Sequence, residues 1–350
     1  MGMGSKGIFL KGLTVLIGVP ALAIALFYLW ASATTTDPQT YADVIDDDAQ
    51  LQQSAQENYT LVTYNIGYLS GLANSTTTQP DQAVFEANQQ QAIAALSAIN
   101  PDFIALQEVD FGAERSYGVN QAKMLAQTFN NMAYAVAINW DKTYLPFPFW
   151  PPSAHFGKIL SGQALLSRYP ITENTRTVLQ KVAANNFIYN TFYLDRLLQV
   201  TKVDIDGKTL VVMSTHLEAF DEETRVAQTQ FVKNAAEDYA KTYPVLLVGD
   251  FNSALNRDTF IAITGEDKGE KQFSIKELIA AESFEPATPQ TAWPTADSPE
   301  NATFPSNAPE YKLDYIFYTP STIEITEARV LSAAGEASDH LPIMARFRLK

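Results

Sequence analysis

Val245-Leu246-Leu247-Val248-Gly249-Asp250-Phe251-Asn252 begins as a buried strand and ends in an acid and an amide. Val245 to Val248 form a short apolar run of the kind that fills a sheet interior. In an extended segment Asp250 and Asn252, two residues apart, face the same way, and Phe251 points oppositely, into a core. A carboxylate beside a carboxamide can hold a water and a phosphoryl oxygen together. An ordinary Asp/Asn turn after a strand would also produce this pattern, and for these residues alone the two readings weigh about evenly.

Outward from that stretch, the same arrangement recurs. Leu61-Val62-Thr63-Tyr64 leads to Asn65, and Phe103-Ile104-Ala105-Leu106 to Gln107 and Glu108. Leu210 to Thr215 leads to His216, Tyr315 to Tyr318 starts after Asp314, and Asp339-His340 precedes Pro342 to Phe347. A buried strand cannot easily keep a charge within it, but acids and imidazoles at strand ends can converge on one hydrated rim. Ala83–Ile99 has apolar spacing near 3.6 and stops at Asn100-Pro101. Asn120–Asn131 and Glu222–Tyr239 behave similarly. Strands and helices mixed in one chain predict an α/β or α+β domain with buried sheets.

Composition narrows the chemistry. With 350 residues, 46% hydrophobic and 11% aromatic, the chain can build a sizeable core. It has no cysteine, which excludes disulfides, thiolate metal sites and a cysteine nucleophile. A metal must then sit on oxygen and nitrogen, favouring Mg²⁺, Mn²⁺ or Ca²⁺. The net charge of −15 argues against tight binding of extended nucleic acid, but not against a small phosphodiester.

Lys6 and Lys11 are the only charged residues before Asp37. Leu13 to Ala33 carries no charge over 21 residues, close to the ~20 that a helix needs to cross a bilayer. Positive charge before the run and acids after it predict a cytoplasmic N-terminus with the remainder outside. Ala31-Ser32-Ala33 also reads as a signal-peptidase site, so release by cleavage after Ala33 is the alternative to a retained anchor. The predicted organisation is an anchor or signal peptide over 1–35, a polar linker over 36–57 with some helix around Ala42–Gln56, and one domain over 58–350.

Ser338-Asp339-His340-Leu341-Pro342 shifts the balance. Together with Leu247 to Asn252, Leu106-Gln107-Glu108, Thr63-Tyr64-Asn65, Lys312 to Ile316 and Leu166 to Ile171, it resembles the endonuclease/exonuclease/phosphatase superfamily in order and spacing, over about residues 58–349. Ser214-Thr215-His216-Leu217 is similar to the branches of pancreatic-type deoxyribonucleases and bacterial sphingomyelinases. The resemblance implies an α+β fold, a four-layer α/β/β/α sandwich with the site at one rim. It implies Glu108 as the main Mg²⁺ ligand, with Asn65 beside it on metal or phosphate and Asp339 serving the same or a second metal. Asp250 would orient or deprotonate the attacking water, and Asn252 would hold a phosphoryl oxygen. His340 would pair with Asp314 and stabilise the charge of the transition state, while His216 would contact phosphate and assist the leaving group.

Other residues keep ordinary readings. His155 is expected to be a satisfied or solvated histidine, Arg168 to fix a loop, and Glu218 and Glu222 to be solvated helix-entry residues. Arg196 is a candidate partner for an active-site carboxylate. Trp140–Phe156 concentrates four prolines among aromatic residues, so regular structure is not expected there. A rigid loop over the core is the first expectation, and an apolar loop that dips into a bilayer the second. The expected enzyme is a monomeric, extracytoplasmic Mg²⁺-dependent phosphodiesterase acting on a lipid or small phosphodiester. The alternatives are a tethered or secreted nuclease, an inositol or sugar phosphatase, and a non-catalytic binding module.

Overall fold

The computed structural model describes residues 4–46, 48–74, 76, 78–254, 274–289 and 300–350, with side chains from Leu16 onward. Among them the strands are β1 (Val44–Ile45), β2 (Tyr59–Asn65), β3 (Phe103–Asp110), β4 (Ala133–Leu145), β5 (Gly157–Ser167), β6 (Ile171–Val178), β7 (Leu197–Ile205), β8 (Lys208–His216), β9 (Val245–Asp250), β10 (Glu285–Pro286), β11 (Asp314–Tyr318), β12 (Ile323–Val330) and β13 (Ile343–Leu349). They form one sheet in the order β1-β4-β5-β3-β2-β13-β12 and a second in the order β10-β11-β9-β8-β7-β6. Each sheet has one parallel pair, β2 with β3 and β8 with β9. A parallel pair needs a crossover, supplied by helix α2 (Gln82–Ile99) in the first sheet and, numbering helices along the chain, α5 (Glu222–Ala240) in the second.

Period-two patterning accounts for the layers. Leu61, Phe103, Ala105, Leu165 and Ile343 of the first sheet meet Val212, Leu246, Val248 and Ile316 of the second in a closed inter-sheet core. The opposite faces carry helices. Val62, Ile104 and Leu106 pack on Phe85 and Leu96 of α2 and Leu125 of the helix Gln121–Thr128. Met213 and Leu247 pack on Val232 and Ala236 of α5 and on Ile275 and Leu278 of the helix Ile275–Ile279. The result is the expected four-layer α/β/β/α arrangement. Helix α2 starts on Asp81, whose side chain accepts from Val84 N at 3.0 Å, and ends at Asn100 with φ 52° before Pro101.

The inner face changes chemistry along the strands. Val212, Ser214 and His216 succeed one another on β8, Leu61, Thr63 and Asn65 on β2, and Val248 and Asp250 on β9. The middle tier is neutral and hydrogen-bonded between sheets: Gln107 Nε2 donates to Ser214 Oγ at 3.0 Å and Gln163 Nε2 to Ser214 O at 3.1 Å. Charge begins only where the sheets open. Gly249 has φ +132°, and a Cβ there would lie 2.0 Å from Thr215 O on β8. Gly249→Ala is therefore expected to push β9 away from β8, lowering the melting temperature and the activity together.

The N-terminal run is helical from Gly4 to Ser32 (α1). Among the described residues no helix is long and apolar enough to cross a membrane, and the first three residues of the uncharged run lie before the described side chains. The expected helix around Ala42–Gln56 is not found among the described residues. Val44 and Ile45 instead pair with Ala135 and Tyr134 of β4, and Gln50 and Gln52 donate backbone bonds to Asn131 and Arg168. The chemical cause is unpaired edge backbone on β4, which an extended segment can satisfy and a helix cannot. Trp140–Phe156 also departs from expectation in its first part. Its prolines begin only at 146, so Trp140 to Leu145 complete β4.

Candidate active site

The rim is built by register. Asp314 on β11 pairs with Asp250 on β9, which pairs with His216 on β8, so three adjacent strands place these groups side by side. Asn65 arrives from the carboxyl end of β2 in the facing sheet, and its Nδ2 donates to Asp250 Oδ2 at 3.0 Å. The Ser338–His340 turn closes the group: Ser338 Oγ donates to Asn65 O at 2.8 Å, and His340 Nδ1 lies 2.8 Å from Asp314 Oδ2. His340 Nε2 is 3.6 Å and His216 Nε2 3.5 Å from Asp250 Oδ2. Asn252 N donates to Asp250 Oδ1 at 2.8 Å, while its side chain donates to Leu217 O at 3.0 Å.

Glu108 reaches the rim through a bulge. Strict alternation after Gln107 would turn Glu108 to the helix-covered face. The pairing with β5 shifts between Leu106 and Val109, Glu108 takes φ +52°, and Val109 joins the outer core instead. One extra residue thus leaves Glu108 inward, the recurrent use of a bulge beside a functional site. Its Oε1 stands 3.8 Å from His216 Nε2. Asn74 Nδ2 donates both to Glu108 Oε2 at 2.8 Å and to Asp339 Oδ1 at 3.1 Å. Two carboxylates thus converge on one donor.

The electrostatics separate the two imidazoles. Burial opposes charge on His340, but Asp314 and Asp250 outweigh it and hold the imidazolium well above its ordinary pKa. Burial, then the Arg196 and His340 cations, push His216 well below its ordinary value, so it is neutral near pH 7. Burial first, and Asp314 against the opposing pull of His340, carry Asp250 up to about 7. Burial and the neighbouring Asp339 raise Glu108. Glu108, raised in this way beside a second carboxylate, marks a place for a divalent cation.

All eight residues expected at the site, Asn65, Glu108, His216, Asp250, Asn252, Asp314, Asp339 and His340, lie at this rim. His155 is satisfied in its loop, with Nδ1 2.8 Å from Tyr144 OH and Nε2 3.2 Å from Phe149 O. Arg168 ties the 166–171 loop to Asn100, away from the site. Glu218 is not a solvated helix-entry residue. It is buried, accepts from Tyr193 OH at 3.3 Å and lies 3.6 Å from Arg196 Nε, because the chain turns inward after His216 before α5 starts. Arg196, next to Leu197, which pairs with His216, therefore has Glu218 as its nearest carboxylate and feels Glu108 through space. Its Nη1 is buried without a hydrogen-bond acceptor.

Asn74 and the pair Asp110–Arg115 are positions that strand patterning does not reveal. Arg115 forks onto Asp110 at 2.9 and 3.0 Å and stacks 3.3 Å from the Tyr68 ring. Gln121 accepts from Asp110 N and donates to Tyr68 O, joining the end of the Glu108 bulge to the loop after β2. Arg115→Met would leave the buried Asp110 carboxylate without its counter-ion and with only the Ser161 hydroxyl as a side-chain donor, and a loss of about 3–5 kcal/mol in urea unfolding is expected. Lysine lacks the fork and is expected to restore little of it.

The chain belongs to the Endonuclease/Exonuclease/phosphatase family, whose model matches residues 62–340. It is accordingly a metal-dependent phosphoester hydrolase. No curated protein matches it in sequence. Among solved structures, an endonuclease/exonuclease/phosphatase protein from Beutenbergia cavernae is similar at 20% identity, covering 84% of this chain and 72% of that one, with TM-score 0.57. The human Nocturnin catalytic domain with bound sulfate has 18% identity, 91% and 100% coverage and TM-score 0.54. A mannosyl-6-phosphatase from Bacteroides thetaiotaomicron has 16% identity, 83% and 99% coverage and TM-score 0.53.

The donor set fits the divalent cation that the family uses. Glu108 and Asp339, already drawn to one donor, offer hard oxygens, with Asn65 close by. Asp250, Asp314 and His340 also bring ligand atoms within 4.8 Å of one another. That trio is the poorer cage, because His340 Nδ1 is engaged by Asp314 and Asp250 Oδ2 by Asn65.

Proposed function

We propose that the chain is an extracytoplasmic phosphodiesterase, tethered by its N-terminal helix, that hydrolyses a lipid or small phosphodiester by water attack. The observation that carries the chemistry is the Asp314–His340–Asp250 row facing the Glu108–Asp339 pair across one rim. Mg²⁺, held by Glu108 and Asp339 with Asn65, would neutralise non-bridging oxygens when bound. Asp250 accepts the proton of the attacking water. Asn252 and Arg196 hold phosphoryl oxygens, and the His340 imidazolium, kept charged by Asp314, stabilises the phosphorane-like charge. His216 meets the same phosphate as a neutral donor; an anionic substrate beside it raises its pKa and prepares it to protonate the leaving alkoxide.

A retained helix is favoured over cleavage by the setting of Ala33. Its carbonyl accepts from Thr143 N at 2.8 Å and Thr143 Oγ1 at 3.1 Å, and Ala31 is fully buried. A chain of net charge −15 has less to offer a polynucleotide. The test is a panel of lipid, small and nucleic-acid phosphodiesters and sugar monoesters, run on the full chain with and without Mg²⁺. Turnover of lipid or small diesters that vanishes in Asp250→Asn is expected. Preference for plasmid DNA or for monoesters would replace the reading.

A further inference from the structure

The exposed apolar side chains gather at one end of the molecule. Outside α1, every large one among the described residues sits at the rim end of the sheets, except Val84 in the first turn of α2 and Phe231 on α5. The loop 146–156 joins the end of β4 to the start of β5, which runs antiparallel to β3 and so begins beyond the Asp110 end of that strand, the end that carries Glu108. The connection 179–196 leads to Leu197, the partner of His216, and Phe220 follows β8. On these connections Phe149 is 64% exposed, Trp150 78%, Phe187 72% and Phe220 83%.

Helix α1 leaves the domain at the same place. Tyr28 OH is 2.8 Å from Thr191 Oγ1, and its ring lies 6.5 and 5.8 Å from those of Phe187 and Phe192. Trp30 stacks on Tyr144 at 5.5 Å. Directly after the helix, Asp141 accepts from Thr35 N and Oγ1, both at 2.7 Å, and from Thr36 N at 3.1 Å. The exit of the helix is therefore fixed to the rim rather than hung on a free linker.

We propose that this aromatic collar rests on a lipid bilayer, with the mouth of the catalytic rim facing the headgroups, so that the phosphoester it reaches belongs to a membrane lipid. The occupant follows from continuity. Through Phe187 and Phe192 the collar adjoins the base of a helix whose uncharged run matches a bilayer span, and tryptophan and tyrosine at its end belong to the interfacial belt. Inserting the helix brings Phe149, Trp150 and Phe187 to headgroup depth without further motion, removing apolar surface from water. The net charge of −15 favours a zwitterionic surface over an anionic one. The substrate half of this proposal rests on the phosphodiesterase reading above; the surface half does not.

The chain has no cysteine, so Phe149→Cys and Phe231→Cys each give a unique labelling site. Full-length protein carrying an environment-sensitive fluorophore would be reconstituted in phosphatidylcholine vesicles. The label at 149 is expected to shift to the blue and to be quenched by spin-labelled lipid, and the label at 231 to remain unquenched. Equal quenching at the two positions, or shielding at 149 in detergent without lipid, overturns the collar. Separately, Phe149→Ser/Trp150→Ser/Phe187→Ser/Phe220→Ser is expected to lose about tenfold or more on a bilayer-embedded phosphodiester, with a soluble aryl phosphodiester hydrolysed as before. Equal loss on both substrates overturns the orientation. No turnover of either substrate by the parent protein defeats the enzymatic reading alone, since the fluorescence result still reports the surface.

Discussion

Asp250→Asn is expected to lower kcat by about 10²–10⁴-fold, the range for a lost general base, with the fold and the metal affinity retained. The substitution keeps the side-chain shape at a fully buried position whose backbone is fixed by the β8 and β11 pairings. An asparagine still offers one oxygen, enough for either Asn65 Nδ2 or Asn252 N but not both. It cannot accept the water's proton. Glu108 and Asp339 face each other through Asn74 and are untouched, so Mg²⁺ titration should be nearly unchanged. His340 keeps Asp314 at 2.8 Å and stays charged. A general base must be ionised to act, so activity should climb with pH through the Asp250 pKa, about 7. Asp250→Asn is expected to erase that limb as well as the rate. A mutant retaining the parental limb would move the base elsewhere, and His216 is the next group in reach.

How far this rim could be read in advance depended on strand chemistry. Asp250, His216, Asp314 and Asn65 each end or begin a strand whose alternation carries them inward, so period two and a polar terminus suffice to place them. His340 and Asp339 sit on a turn just before β13, where the strand-end pattern marks them and the Ser338–Pro342 motif supplies their roles. Glu108 is the instructive residue: alternation alone points it away from the site, and a bulge with positive φ returns it. No local propensity signals that bulge. Asn74 and Arg196 lie outside the strand-end pattern that placed the others, and Glu218 was misread because a helix-entry acid is normally hydrated. These residues are defined by tertiary neighbours, the carboxylate pair for Asn74 and the His216 strand for the other two. The helix expected around Ala42–Gln56 failed for a related reason. The unpaired edge of β4 takes Val44 and Ile45 into the sheet instead.

Glu108→Gln is expected to act in opposite directions with and without metal, which is the sharpest measurement of the cation site. Burial and Asp339 both disfavour the Glu108 carboxylate, so the two acids repel in a poorly hydrated place. The amide is neutral, nearly isosteric and still able to accept from Asn74 Nδ2. Without divalent ions the variant should therefore melt higher than the parent. A cation that binds the folded state stabilises it in proportion to its affinity, and the parent should gain a clear upward shift with Mg²⁺. Losing one of two anionic ligands should weaken binding by more than the about 10–100-fold typical of removing a supporting partner. The variant's melting temperature should then hardly respond to Mg²⁺, and its turnover should fall with it. Asp339→Asn is expected to follow the same pattern. A variant that still gains the parental shift would place the cation on Asp250, Asp314 and His340, the other cluster of close ligand atoms, and would make Glu108 an electrostatic neighbour of His216 instead.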